Sequence, residues 1–114
     1  MKLEEVVAIR IKKAREAAGL SQEALGVLAC IEEATAKVRI HQYEQGKHSP
    51  PLSMIERIAN ALGKPTAWFI CEEDMQDVLL KLYPLTKGKR AETLKRIEQL
   101  VSVISTESPE QFIK

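Results

Sequence analysis

Apolar side chains at Leu3, Val7, Ile11, Ala14 and Ala18 recur at steps of four, four, three and four, the spacing of one face of a helix. Gly19 follows that stripe, so the pattern predicts a first helix over about 4 to 18. Ser21 suits the cap of a short second helix over about 22 to 29, with Gln22 and Glu23 in its first turn and Leu25 and Leu28 facing in. After the connector CIEEAT, residues 30 to 35, Thr35 is the expected cap of a third helix that runs to about Gln45 and stops at Gly46. Pro50 and Pro51 set the start of a fourth, whose Leu52, Ile55, Ile58, Ala59 and Leu62 form another stripe before Gly63. A brief fifth helix, about 66 to 70, would insert Trp68, Phe69 and Ile70 into the core.

The acidic run EED, residues 72 to 74, opens a new region. Met75, Val78, Leu79 and Leu82 are spaced for a helix that Pro84 is expected to end, and Leu94, Ile97, Leu100, Val101 and Ile104 for another. The tail therefore reads as a helical hairpin with loop LTKGK, residues 85 to 89, giving two segments: 1 to 70 and an extension, 71 to 114.

Composition supports an all-α chain, because hydrophobic residues make up 45% of the 114 positions and aromatic ones only 4%, a balance that suits packed helices. No apolar run approaches the roughly 18 residues of a membrane span, and the charged amphipathic start has no secretory pattern. The expectation is a cytoplasmic protein with no membrane partner. Cys30 and Cys71 are too few and too irregularly placed for a disulfide framework and read as reduced thiols. The formal net charge of +1 announces no polyanion partner, and the split between +2 over residues 1 to 70 and −1 over 71 to 114 adds little. Nucleic-acid binding must come from a local surface.

The third predicted helix offers one. At about 100° per residue, with Ala36 as zero, Ile40 falls near 40° and Tyr43 near −20°, so these three share a face that packs inward. Lys37, His41, Val38 and Gln42 spread over the opposite side, from about 100° to about 240°. Such a face can be plain solvated surface. It can also read bases: in the major groove Gln can bond adenine through two bonds, Lys or Arg can bond guanine, and an apolar side chain can touch the thymine methyl. Lys37, Val38 and Gln42 supply those three chemistries.

Three blocks in order, GLSQEAL (19 to 25), IHQYEQGKHSPP (40 to 51) and IANALGKPTAWF (58 to 69), resemble the helix-turn-helix domain of the Xre family, which includes the Cro and repressor proteins of lambdoid phages. The resemblance covers about residues 6 to 70. It implies a five-helix lambda-repressor-like DNA-binding domain, here followed by the C-terminal hairpin, in a prophage-type transcriptional regulator. It makes the third helix the recognition helix, with Lys37, Val38 and Gln42 as base readers and Arg39 and His41 as flanking contacts. Gln22 falls where relatives aim a side chain and backbone N–H groups at a phosphate, and a helix N-terminus suits an anion on electrostatic grounds alone. Lys47 and His48 match another phosphate-binding stretch, though exposed loop cations need no such role. Arg15 and Glu44 match an internal ion pair that links the first helix to the end of the third and would fix its tilt.

The chain departs from the family in one place. Between Leu25 and Tyr43 it is about four residues longer than most relatives, and Cys30 stands where the tight turn usually has glycine. Because cysteine adopts the left-handed conformation reluctantly, the expectation is that the usual turn is lost. Residues Glu32 to Thr35 would then either reroute the chain or lengthen the third helix at its N-terminus, which would bring Glu32 and Glu33 near the DNA backbone, where they repel phosphate. Longer turns of this kind, with the ending YEQGKH, occur in a subset of prophage-encoded regulators that the chain resembles.

Cys30, His41, His48 and Cys71 are separated by 11, 7 and 23 positions, which fits no closely paired zinc motif, so neither metal nor cofactor is expected. Trp68 and Phe69 could stack on bases, but their place after Pro65 favours the core. No phosphate loop, GxSxG or Cys/His nucleophile pair gives catalysis a foothold; the expectation is a protein that is not an enzyme. Leu94, Ile97, Val101 and Ile104 repeat at three, four and three, the spacing of a seam between helices. That seam either covers the domain's own helices or pairs with a second chain, and a homodimer presenting two reading helices to double-stranded DNA is the favoured reading. Two alternatives remain: an antitoxin that represses its own operon while its tail masks a toxin, which copurification with the toxin would favour, and a structural module whose helix-turn-helix no longer touches DNA.

Overall fold

The computed structural model describes residues 1–86 and 90–105. Among them every regular element is helical: α1 (Leu3–Ala17), α2 (Gln22–Leu28), α3 (Glu33–Glu44), α4 (Leu52–Leu62), single 3-10 turns at Thr66–Phe69 and Glu73–Met75, α5 (Gln76–Thr86) and α6 (Arg90–Ser105). The chain forms two compact units, divided between Leu80 and Lys81. The fold is all-α and lambda-repressor-like, with the turn at Thr66–Phe69 in the place of the fifth helix.

The core of the first unit is built from the predicted stripes, joined by Met54, which lay outside them. Val7, Ile11 and Ala14 of α1, Leu25 of α2, Ala36, Ile40 and Tyr43 of α3, and Met54, Ile55, Ile58 and Ala59 of α4 are buried around Phe69. Burying a side chain of the size of Ile, Leu or Phe contributes about 1.5 to 3 kcal/mol, so this cluster supplies the main drive to fold. The stripes lose their ends to solvent: Leu3, Leu28 and Leu52 are exposed, and so is Ala18. Near the fifth element, Phe69 is fully buried and Trp68 packs partly buried against the core, its ring meeting Phe69 edge-on at 4.9 Å. Ile70, expected inside, lies on the surface. Arg10, itself buried, ties α1 to this segment by donating to the carbonyls of Trp68 at 3.2 Å and Cys71 at 2.7 Å.

Two helix ends differ from expectation. Thr35 does not cap α3; the helix begins at Glu33 after Glu32, and the Thr35 hydroxyl donates back to the Glu32 carbonyl at 3.3 Å. Pro84 does not end α5, which continues to Thr86. A proline near a C-terminal end forfeits one backbone hydrogen bond, but its fixed φ is helical. Of the expected loop at 85 to 89, Leu85 and Thr86 are therefore helical, and 87–89 lie outside the described residues.

Candidate nucleic-acid interface

The helix pair α2–α3 is set by a close approach. A methyl group built on Gly26 would lie 2.6 Å from the Cβ of Ala36 and 3.0 Å from its Cα and its carbonyl oxygen, so the helices meet at a distance only glycine permits. Ser21 caps α2 as expected, accepting from Ala24 N–H at 3.0 Å. Gly26 carries the geometry although no sequence motif singled it out. The available signal was a glycine inside a short predicted helix, a costly choice unless something packs against it.

The turn between the helices is the usual left-handed one after all. Cys30 takes φ 66°, the one non-glycine residue with positive φ among those described. Cys30 N–H donates to the Val27 carbonyl and Ile31 N–H to the Gly26 carbonyl, the two bonds that seal a helix end around a left-handed residue. Ile31 is buried, which anchors the turn and offsets a strain of about 1 to 2 kcal/mol at Cys30. The additional residues go into the start of α3. Four residues are close to one helical turn of 3.6, so the inward stripe Ala36, Ile40, Tyr43 keeps its phase, and Glu33 occupies the first turn.

The end of α3 is clamped from beneath. Arg15 donates through Nε to Glu44 Oε2 at 2.6 Å and through Nη2 to Oε1 at 3.0 Å, and its Nη1 reaches the Leu20 carbonyl at 2.9 Å. The Glu44 side chain is only 1% exposed. The hydrogen bond to Glu44 holds the Arg15 guanidinium above its ordinary pKa, with burial opposing. A guanidinium stays charged throughout the range in which proteins are handled, so the Arg15 half of the clamp does not titrate.

Above the clamp, Lys37, Val38, Arg39 and His41 are exposed and Gln42 is partly so; Val38 shows 58% of its surface. Lys47 and His48 are exposed in the loop beyond. Gln22 lies on the same side as His41, but its carboxamide nitrogen is turned onto Glu44 Oε1 at 3.1 Å and stands 3.3 Å from His41 Nδ1. A phosphate contact from Gln22 would therefore fall to its backbone N–H. On the other flank, Thr35, Val38, Arg39 and Gln42 share a concave surface with Arg57 of α4 and with Glu32. Arg57 was not a sequence candidate, since nothing along the chain brings α4 to this face.

The segment that carries this geometry, residues 11–69, matches the helix-turn-helix family model HTH_3. The chain belongs to the helix-turn-helix family. Among solved structures, this helix-turn-helix protein is similar to the crystal structure of transcriptional regulator BswR, with 38% identity over 84% of this chain and 96% of that one and a TM-score of 0.63. No curated protein matches it. In helix-turn-helix units the second helix of the motif is the one placed in the DNA major groove, and here that helix is α3. No helix among the described residues is long and apolar enough to cross a membrane.

Proposed function

We propose that this helix-turn-helix protein is a sequence-specific, DNA-binding transcriptional regulator, a dimeric repressor of prophage-like origin that reads the major groove with α3. The observation that carries the proposal is the contrast within one helix: α3 is locked from below by Gly26, Ile40 and the Arg15–Glu44 pair, while Lys37, Val38, Arg39 and His41 project from the surface above. Lys37 and Arg39 are suited to guanine, Gln42 to adenine and Val38 to a thymine methyl, with His41 beside them. Lys47 and His48, with the backbone N–H of Gln22, are assigned to phosphates. Arg57, beside Arg39 and Gln42, adds a phosphate contact from α4, and Glu32 on the same surface opposes it.

We assign dimerisation to the extension, residues 71 to 114. Leu94 of α6, in the predicted seam with Ile97, Val101 and Ile104, is exposed, on a face that a second copy of the helix would cover. A twofold dimer would place two copies of α3 on half-sites about one DNA turn, ~34 Å, apart.

Selection of bound duplexes from a random pool tests both parts. A palindromic consensus with half-sites one turn apart is expected, and recovery of unrelated sequences with no shared element would overturn the proposal. Binding to random duplex should also weaken steeply as salt rises, because several phosphate contacts release counterions; a flat response would point to a fold that no longer touches DNA. Removing residues 88 to 114 should weaken operator binding and leave a monomer in solution, whereas a truncated chain that stays dimeric would exclude the tail as the dimer element.

A further inference from the structure

Four side chains run in a line from the core to the reading surface. Arg15 holds both oxygens of Glu44. Glu44 in turn receives Gln22 Nε2 at 3.1 Å, and the same nitrogen stands 3.3 Å from Nδ1 of His41. The chemistry of each link fixes the next. A carboxylate accepts and does not donate, so Gln22 must offer it the amide nitrogen; the reverse orientation would set the amide oxygen against Glu44. An amide nitrogen carries two N–H groups. With one spent on Glu44, the other is left for His41, whose Nδ1 must then accept. A neutral imidazole that accepts at Nδ1 carries its proton on Nε2. His41 is exposed on α3, so the nitrogen left for a partner is a donor.

We infer that Glu44, acting through Gln22, fixes His41 as the Nε2–H tautomer, so that His41 recognises a hydrogen-bond acceptor on DNA, namely the N7 edge of a purine. The inference rests on the DNA-reading proposal and sharpens it. Gln22 becomes a positioning residue for His41, and the chain explains why a glutamine at the start of α2 bears on base choice although its side chain does not face the DNA. Purine N7 lies in the major groove, where α3 is proposed to sit. A phosphate oxygen has the same accepting chemistry, and the experiment separates the two.

The first measurement needs no DNA. Long-range nitrogen–proton NMR on the full-length protein at about pH 8.5, above the ordinary imidazole range, should show His41 protonated at Nε2 alone. Gln22→Leu, which keeps bulk but removes the donors, should give both tautomers in exchange, and Gln22→Glu, an acceptor, should move the proton to Nδ1. A wild-type ring protonated at Nδ1, or a tautomer state unchanged in both variants, overturns the inference. The second measurement scans the selected operator with 7-deazapurines and with methylphosphonates. One 7-deazapurine position should cost the wild type about fivefold in affinity, the worth of a single hydrogen bond, and cost His41→Ala nothing. If the position sensitive to His41→Ala is a methylphosphonate, or if none is sensitive, the base-edge assignment falls while sequence reading by α3 stands. If the wild type fails to distinguish operator from random duplex, the reading proposal itself falls, and the NMR result still decides the tautomer.

Discussion

The two faces of α3 belong to one short helix and do opposite things. On the inner face Ala36 and Ile40 are fully buried, Tyr43 nearly so, and Glu44 is bonded on both oxygens. On the outer face Lys37, Val38 and Arg39 stand in solvent. Close packing below is intolerant of even a methyl group, whereas solvated side chains above can change without disturbing the fold. The difference separates stability from recognition along a single helix. It predicts which substitutions unfold the protein and which only blind it.

The largest effect belongs to the inner face. Arg15→Ala leaves the Glu44 carboxylate almost fully buried with only Gln22 to meet it, and stranding a buried charge costs on the order of 3 to 5 kcal/mol. Urea unfolding should show the midpoint falling with little change in slope. A loss below about 1 kcal/mol would mean that Glu44 finds water or another donor, and the claim that α3 is clamped from beneath would fail.

Next comes Gly26→Ala, a single methyl driven to 2.6 Å from Ala36. Alanine is the better helix former by roughly 0.5 to 1 kcal/mol, so the sign tests whether packing or propensity decides. Overpacking of this kind typically costs about 1 to 3 kcal/mol, and α2 and α3 should part to relieve it. Thermal unfolding should show a lower Tm, together with weaker operator binding because the tilt of α3 changes. A gain in Tm would show that the interhelical contact relaxes freely.

Gln42→Ala probes the outer face at similar size in a different quantity. Against the selected operator it should lose about 1 to 3 kcal/mol, and much less against unrelated duplex, while unfolding stays within about 0.5 kcal/mol of wild type. Equal losses on both DNAs would remove Gln42 from the base readers. A loss of stability comparable to that of Gly26→Ala would break the division between the two faces.

That division was largely legible in the chain. Ala36, Ile40 and Tyr43 share an angular sector on a helical wheel whatever surrounds them, and Gly19, Gly46 and Gly63 mark helix ends by a local rule, so the order of α1 to α4 follows from periodicity and stop signals. Arg15 and Glu44 could be paired only through family resemblance, since their separation of 29 positions leaves no local trace. The direction of the Gln22 side chain was not legible either. A helix N-terminus favours anions in general, but the buried Glu44 oxygen that captures the amide comes from another helix. Arg57 joins the α3 surface for the same kind of reason, through the packing of α4. Pro84 and Thr35 misled because each reading rested on a local rule alone: α5 runs through Pro84 despite the lost N–H and the crowding of the carbonyl four residues before it, and Thr35 lies inside the first turn of α3, where its hydroxyl returns to the Glu32 carbonyl.

Cys30 is the position at which a local rule and the tertiary fold disagree, and it joins the two faces by setting where α3 starts. Cysteine at φ 66° bears a left-handed strain of about 1 to 2 kcal/mol, held in place by the buried Ile31 beside it and by the bonds to Val27 and Gly26. Cys30→Gly removes that strain but gives the unfolded chain more freedom, which takes back about 0.4 to 1 kcal/mol. The net should be a gain of about 0.5 to 1 kcal/mol, read as a rise of a few degrees in Tm. Operator affinity should be unchanged, because the turn already has the geometry glycine would adopt. Cys30→Val should lose stability, since a β-branched side chain is the worst fit to positive φ. If Cys30→Gly proves neutral and Cys30→Val harmless, the turn is not held in the left-handed form in solution, and the added helical turn at the start of α3 loses its anchor.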